Sequence, residues 1–264
     1  MNDNELMVKS YSNSIVDVAF LSSIGDREDQ QDSFGCSLCD DSGLFVICDG
    51  MGGLGNGDLA SRTAVDCFIS NYENSNPILD NVAFLQQNTF VSNDLVSNLT
   101  NKNGEKISVG TTLVSVIINK TELFWSSVGD SRVYLYRNGD FVQITQDHNY
   151  NTVLTEQLNM GMIDKEEFDK ENQTGEALIS YLGIGEMPLI DYNYSALQLF
   201  PNDKVLLMSD GLYKILSDFE FKTIIENFTN VIDAVNALEK MTQKKAVSIN
   251  KKRDNMTISL IQIK

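Results

Sequence analysis

The feature of this sequence that most constrains its fold is a run of strand-like segments joined by very short turns. Four segments with apolar residues at every second position follow one another, at residues 111–118, 122–128, 132–137 and 141–145. Asn138-Gly139 separates the last two, and this dipeptide is the strongest short signal for a β-hairpin. Since a two-residue connection joins only antiparallel strands, the stretch predicts an antiparallel sheet.

A second hairpin is predicted earlier in the chain. Residues 33–38 and 44–48 have strand character, and the sequence Cys-Asp-Asp-Ser-Gly between them is typical of a turn. If the turn centres on Asp40 and Asp41, Asp32 lies opposite Asp49. Further strands are predicted at 15–24, 192–199, 205–208 and 257–263.

Helices are predicted in two pairs. Apolar residues at helical spacing and local capping signals define them. Ser217 followed by Glu220 fits a capping box, and Asp58 is placed as the cap of the first helix. The four predicted helices cover residues 58–68, 78–99, 217–227 and 231–244.

The order of these elements predicts the fold class. Helix pairs that are separate from the strands indicate an α+β protein, with sheet packed on sheet and helices outside. We therefore expect a four-layer α-β-β-α sandwich of two antiparallel β-sheets flanked by helix pairs, folded as a single domain over residues 1–264. The polar segment 149–185, with a short helix predicted at 165–171, is long for a structureless loop, so we interpret it as a functional flap.

The composition argues against several classes of function. Lys and Arg number 20 against 37 Asp and Glu, which gives a net charge of −17, so nucleic acids and anionic membranes would repel the chain. A single histidine leaves almost no material for a His-rich zinc site or a Ser-His-Asp triad. We find no signal peptide and no apolar stretch long enough to span a membrane, so we expect a cytoplasmic protein.

Five aspartates lie at the ends of predicted strands. The hairpin registers bring three of them toward one edge, and the other two, Asp210 and Asp254, join them there if their strands pair. Clustered carboxylates repel one another unless cations neutralise them, and Mg²⁺ or Mn²⁺ with oxygen ligands are the natural partners. The alternative is that each aspartate caps a turn, which is ordinary for one residue but explains five at one edge poorly. The five residues are Asp32, Asp49, Asp130, Asp210 and Asp254.

These aspartates belong to motifs that resemble those of a known family. In chain order the motifs are REDQQD at 27–32, DGMGG at 49–53, GTT at 110–112, VGDSR at 128–132, SDGL at 209–212 and DNMT at 254–257. Together they resemble the metal-dependent protein phosphatases, also called PPM or type 2C serine/threonine phosphatases. The short length and the Met after Asp-Gly resemble the bacterial branch of that family.

The resemblance implies a fold, a cofactor and a reaction. The fold is a sandwich of two antiparallel sheets flanked by helices, and the cofactor is a pair of Mn²⁺ or Mg²⁺ ions, with a third, weaker ion in bacterial members. The reaction is the hydrolysis of phosphoserine or phosphothreonine by in-line attack of a metal-bridging water or hydroxide. The partners implied are phosphorylated proteins, the substrates of a serine/threonine kinase.

The resemblance also implies metal ligands, position by position. Asp49 would bridge the two core ions, and the Gly50 carbonyl would bind one of them. Asp210 and Asp254 would hold the other core ion. Asp130, together with Asp210, matches the positions that bind the third ion.

Other positions of the family pattern match in part. Asp32 would complete the metal site by orienting its water, and Arg27 would grip the substrate phosphate. Gln30 stands where the family has an asparagine, and Met51 stands where some members have a histidine proton donor. His148 matches a family position near the end of the sheet, for which a structural and a catalytic role both stay open.

Two other functions also stay open. A phosphatase fold without turnover would serve as a regulatory or binding module, although the complete set of core aspartates argues against it. A structural metal-binding protein would need no phosphate-binding group, whereas Arg27 is available for that purpose. Mn²⁺-dependent release of phosphate from an aryl phosphate separates an active enzyme from the silent module.

Overall fold

The computed structural model describes residues 6–52, 56–75 and 77–264, which form two antiparallel β-sheets. The first sheet has six strands in the order β1 (Leu6–Ser12), β2 (Val16–Ser23), β13 (Met256–Ile263), β12 (Lys204–Met208), β8 (Arg132–Arg137) and β9 (Asp140–Gln143). The second sheet has the order β10 (Asp191–Tyr192), β7 (Glu122–Val128), β6 (Leu113–Asn119), β4 (Ser42–Gly52) and β3 (Asp32–Leu38). It also contains β11 (Leu197–Gln198), which pairs with β7, and β5 (Val109–Thr111), which pairs with β4.

Helices cover the outer face of each sheet. The described helices are α1 (Gly57–Ser75), α2 (Asn81–Ser97), α3 (Tyr150–Asn159), α4 (Lys165–Glu171), α5 (Asp210–Tyr213), α6 (Asp218–Asn227) and α7 (Val231–Ser248), and a 3₁₀ turn covers Asn172–Thr174. The pair α1 and α2 packs on the second sheet, and the pair α6 and α7 packs on the first. Each helix in the part of the chain described here is too short or too polar to cross a lipid bilayer.

Three apolar cores hold the four layers together. Phe20 of β2 and Phe45 of β4 are fully buried between the two sheets. The alternate residues of the same strands point outward, so that Leu44 joins the core with Phe68 of α1, and Leu21 joins the core under α6 and α7. Since successive strand residues face opposite sides, these strands bury both faces and their sequences are almost wholly apolar. The predicted α+β class and the α-β-β-α layering are confirmed.

The predicted strand registers are confirmed where they matter for function. Asp32 pairs with Asp49 across β3 and β4. Asn138 has a φ of 51° in the tight turn between β8 and β9, as the Asn-Gly signal requires. The strands β12 and β13 are antiparallel neighbours, so Asp210 and Asp254 lie at the same edge of the first sheet.

The structure also contains elements that the sequence pattern does not predict. All seven residues of β1 are exposed, and main-chain pairing with β2 is what fixes this strand. In α3 only Leu154 is buried, and the Asn149 side chain caps the helix by accepting from the Thr152 N–H at 3.0 Å. Hydrophobic periodicity gives no signal for such elements because they bury almost no apolar face.

Three predicted boundaries differ from the structure. The helix α1 begins at Gly57, so Asp58 lies in its first turn and is not its cap. The predicted strand at 192–199 is interrupted and forms only β10 and β11. The strand predicted over 111–118 is divided into β5 and β6 at Thr112. The Thr112 hydroxyl accepts a hydrogen bond from the Asp49 N–H.

Candidate active site

The five predicted aspartates gather at one edge of the sandwich. Burial, followed by the charges of the other four, raises the pKa of Asp49 well above the usual carboxylate value. The other four carboxylates are therefore within electrostatic reach of Asp49. A cleft of about 610 Å³ opens at this edge, and its walls include Asp49, Asp210 and Asp254.

Asp49 is held in place through its main chain. Its N–H donates to the Thr112 hydroxyl at 2.9 Å, and its carbonyl accepts from the Thr111 hydroxyl at 2.9 Å. The carboxylate itself receives no hydrogen bond from any residue that the structure describes. An ionised carboxylate without donors is costly to bury, so this position favours a bound cation.

Asp32 is buried beside the cleft and has one oxygen without a regular hydrogen bond. The Ser209 hydroxyl donates to Asp32 Oδ2 at 2.7 Å, whereas Oδ1 makes no hydrogen bond of regular geometry with any described residue. Burial raises the pKa of Asp32 to about 7, the Ser209 hydrogen bond and the nearby Thr257 hydroxyl oppose the rise, and the charges of Asp210 and Asp254 add to it. Asp32 therefore has spare acceptor capacity close to Asp210 and Asp254.

Arg27 lies at the mouth of the cleft and pairs with Asp254. Its Nη2 is 2.5 Å from Asp254 Oδ2, and 60% of the Arg27 side chain is exposed. Exposed ion pairs contribute little to folding, and the guanidinium has five N–H donors. Arg27 can therefore offer hydrogen bonds to a second anion in the cleft.

The other end of the edge is arranged differently. Lys214 Nζ is 2.6 Å from Asp210 Oδ2 and 3.0 Å from Glu176 Oε2. Burial lowers the pKa of Lys214, but attraction to Asp210 and the hydrogen bonds to both carboxylates raise it overall, so the amine stays protonated. The Tyr213 hydroxyl donates to Asp130 Oδ2 at 2.9 Å. Burial and the charge of Asp210 raise the pKa of Asp130 to about 6, and the Tyr213 hydrogen bond opposes the rise.

Two glycines let the main chain come close enough to bring their neighbouring aspartates into the cleft. A β-carbon on Gly50 would lie 2.1 Å from the carbonyl oxygen of Gly57. A β-carbon on Gly211 would lie 2.0 Å from the carbonyl oxygen of Asn255. Any side chain at either position would force these segments apart, which explains why glycine follows the aspartate in both motifs.

Gln30, which departs from the family pattern, and His148, whose role the sequence leaves open, both have structural partners. Gln30 Nε2 donates to the Ser22 hydroxyl at 2.9 Å, and Gln30 Oε1 accepts from the Asp32 N–H at 3.0 Å. Gln30 thus orders the segment that carries Asp32. His148 is buried behind the turn of Asp130, and its Nδ1 accepts from the Gly129 N–H at 3.3 Å. These contacts favour the structural alternative for His148.

The donor set of this edge fits a hard divalent cation. Carboxylate oxygens are the ligands that Mg²⁺ and Mn²⁺ prefer, and Asp49 and Asp32 each present oxygens without a protein donor. Within the described ranges, no three acidic, histidine or cysteine side chains form a finished ligand group. Arg27 and Lys214 each pair with one of the carboxylates that a cation could take, Asp254 and Asp210.

Comparison with known protein families agrees with this geometry. The family model described as Protein phosphatase 2C matches residues 18–153. This chain belongs to the protein phosphatase 2C family. The matched range includes Arg27, Asp32, Asp49 and Asp130, and the motifs of Asp210 and Asp254 follow it in the chain.

Individual bacterial protein phosphatases are similar to this chain over most of its length. The serine/threonine phosphatase stp of Listeria welshimeri is 27% identical over 231 residues, which cover 84% of this chain and 85% of the relative. The protein phosphatase PhpP of Streptococcus pneumoniae is 23% identical over 252 residues, which cover 94% of this chain and 98% of the relative.

Solved structures of type 2C phosphatases share the fold. The S. agalactiae serine/threonine phosphatase has a TM-score of 0.79 at 22% identity and covers 94% of this chain and 100% of its own. The catalytic domain of PstP, solved in complex with two manganese ions, has a TM-score of 0.75 at 24% identity and covers 94% of this chain and 98% of its own. The layered architecture of this chain is therefore that of the family.

Two residues of the site escape the sequence analysis. Tyr213 and Lys214 contact Asp130 and Asp210, yet they lie at the end of a helix that spans only four residues. A helix of that length has no periodicity to detect. The available signal was the spacing of four between Asp210 and Lys214, which suits an ion pair on one helical turn.

Proposed function

We propose that this chain is a metal-dependent serine/threonine protein phosphatase that hydrolyses phosphoserine and phosphothreonine in proteins. The observation that supports this most is the convergence of Asp49, Asp210 and Asp254 on one cleft, with Arg27 at its mouth and Asp32 buried close to them. The relatives named as a serine/threonine phosphatase and as a protein phosphatase, and the neighbour solved with two manganese ions, support the same function.

The acidic edge is the proposed binding site for two Mn²⁺ or Mg²⁺ ions. In this proposal Asp49 would be shared by both ions because its carboxylate has no donor of its own, and the Gly50 carbonyl would bind one ion. Asp210 and Asp254 would hold the other ion, Asp254 in exchange for Arg27 and Asp210 through the oxygen that Lys214 does not contact. When bound, such a pair of ions neutralises phosphate charge and makes a water molecule more acidic.

The protein's own groups then position the substrate and the water. Arg27, released from Asp254, would make charge-assisted hydrogen bonds to two phosphate oxygens at once, a geometry that a lysine cannot reproduce. Asp32 Oδ1, which is buried without a regular hydrogen bond, would accept a hydrogen bond from a water held by the ions and fix its orientation.

The proposal extends to setting and organisation. We propose a cytoplasmic bacterial enzyme of one domain, residues 1–264, with a flap over about 149–185. Its partners would be phosphorylated proteins, supplied by a serine/threonine kinase. The net charge of −17 supports the exclusion of nucleic acids and anionic membranes as partners.

A metal-dependent phosphatase assay tests the proposal. The protein is stripped with a chelator, and phosphate release is measured against added Mn²⁺ or Mg²⁺ on phosphothreonine and phosphotyrosine peptides and on an aryl phosphate. The expected result is metal-dependent release, with the phosphothreonine peptide preferred over the phosphotyrosine peptide. Bound metal without phosphate release from any of these substrates would instead establish the silent regulatory module.

A further inference from the structure

A second cleft, of about 340 Å³, lies on the flap side of the acidic edge. Its walls include Asp130, Tyr213, Lys214 and Glu176. This is the region where the family resemblance implies a third, weaker metal between Asp130 and Asp210. The structure places two protein donors there, the Tyr213 hydroxyl and the Lys214 ammonium group.

Lys214 supplies a positive charge at this position. Its ammonium group lies 2.6 Å from Asp210 Oδ2, and the two residues are four apart at one helical turn. The side chains of Lys214 and Asp210 are 25% and 15% exposed, so water screens their attraction only partly. Lys214 is also near enough to Asp130 for each charge to act on the other residue.

Tyr213 holds Asp130 in a similar way. Its hydroxyl donates to Asp130 Oδ2 at 2.9 Å. The Tyr213 ring is covered by the Arg132 guanidinium, whose central carbon is 3.6 Å from the ring centroid. Arg132 is fixed in turn by Asp147, with an Nη2 to Oδ2 distance of 2.6 Å. Arg132 and Asp147 therefore hold in place the Tyr213 hydroxyl that donates to Asp130.

Each carboxylate that would bind the third ion thus has a donor from the protein itself. A divalent ion at this place would share Asp130 with the Tyr213 hydroxyl and meet the charge of Lys214 at short range, and like charges at short range repel. The residues present do not fit a third divalent ion. We propose that Lys214 is a resident cation that replaces the third metal ion between Asp130 and Asp210.

The inference rests on the proposed function only because Asp210 would also hold a core ion. The contact of Lys214 with Glu176 of the flap is less important, since the Glu176 side chain is 77% exposed. Exposed ion pairs contribute little. Glu176→Gln is therefore a control that removes one neighbour of Lys214 and leaves its charge in place.

Counting bound Mn²⁺ tests the inference without any activity measurement. The free Mn²⁺ signal in electron paramagnetic resonance is recorded during titration of metal-stripped wild type, Lys214→Ala, Lys214→Arg, Asp130→Ala, Glu176→Gln and the double variant Lys214→Ala with Asp130→Ala. We expect Lys214→Ala to gain one weak Mn²⁺ per chain over wild type, and the double variant to lose it again. Lys214→Arg and Glu176→Gln both keep a positive charge at residue 214 and should therefore match wild type.

Three results would overturn the inference. One is a weak site already present in wild type that Asp130→Ala removes. Another is an equal number of ions in wild type and in a folded Lys214→Ala, with folding verified by circular dichroism. The third is a gained site that survives the loss of Asp130. Failure of the proposed function looks different, since wild type would then bind no Mn²⁺ tightly and release no phosphate, while the difference between the variants would still decide the role of Lys214.

Discussion

The edge where the five aspartates gather has two ends, which balance their negative charge in different ways. We call the end with Asp32 and Asp49 the core end and the end with Asp130 and Lys214 the flap end. At the core end, the Asp49 carboxylate and Asp32 Oδ1 have no protein donor in the described part of the chain. At the flap end, Tyr213 donates to Asp130, and Lys214 pairs with Asp210. Gathered carboxylates need positive charge, and it can come from a bound ion or from the chain itself. The core end is thus open to an external cation, and the flap end already has an internal one.

The largest expected effect is the loss of activity on changing Asp49 at the core end. Asp49→Asn keeps the shape of the side chain but removes the charge that two ions would share, so kcat/KM on a phosphothreonine peptide should fall by roughly 100-fold or more, above the usual loss for a residue that only supports a ligand. Steady-state kinetics at saturating Mn²⁺ checks this. Normal turnover in Asp49→Asn would refute the bridging role.

The same variant sharpens the comparison through stability. Without metal, the charge of Asp49 is buried and repelled by its neighbours, so Asp49→Asn should raise the melting temperature of the metal-free protein. Added Mn²⁺ should raise the melting temperature of wild type and have little effect on the variant. Asp130→Asn is the matched control at the flap end, where Mn²⁺ should still stabilise the protein.

Arg27→Lys should have a smaller effect, confined to the substrate. Lysine keeps the charge but cannot form two parallel hydrogen bonds to a phosphate, a loss of about 1.5–3 kcal/mol for a bond to a charged group. The ratio kcat/KM should therefore fall by roughly 10- to 150-fold, while Mn²⁺ binding to the core end is retained. Unchanged kinetics on the phosphopeptide would remove Arg27 from the site.

The smallest expected effect is at the flap end. Tyr213→Phe removes one hydrogen bond to Asp130 but keeps the ring under Arg132, so the free energy of unfolding should decrease by about 1 kcal/mol. Urea denaturation measures this change. We expect Tyr213→Phe to keep tight Mn²⁺ binding at the core end. Loss of that binding would show that the two ends are not independent.

The sequence predicts the core end better than the flap end for a physical reason. A hairpin turn sets the register that places Asp32 opposite Asp49, and local turn and apolar residues carry that information. Asp210 and Asp254 share one edge because β12 pairs with β13, which the strand pattern allows but no turn between them fixes. The fold class and the core end could therefore be predicted without knowing any side-chain contact.

The flap end depends on contacts that have no local signal. Tyr213 and Lys214 end a helix of four residues, and the strand β1 and the helix α3 bury too little apolar surface to produce a pattern. Their positions follow from main-chain pairing, capping and ion pairs between segments far apart in the sequence. Such interactions become visible only when the chain is folded.

Calorimetric titration of metal-stripped wild type and Asp49→Asn with Mn²⁺ tests the central claim most directly, because the claim is that unsatisfied oxygens at the core end create the metal site. The account predicts tight binding of two ions to wild type and loss of that binding in Asp49→Asn. Equal binding by both proteins, or no tight binding by wild type, would contradict it.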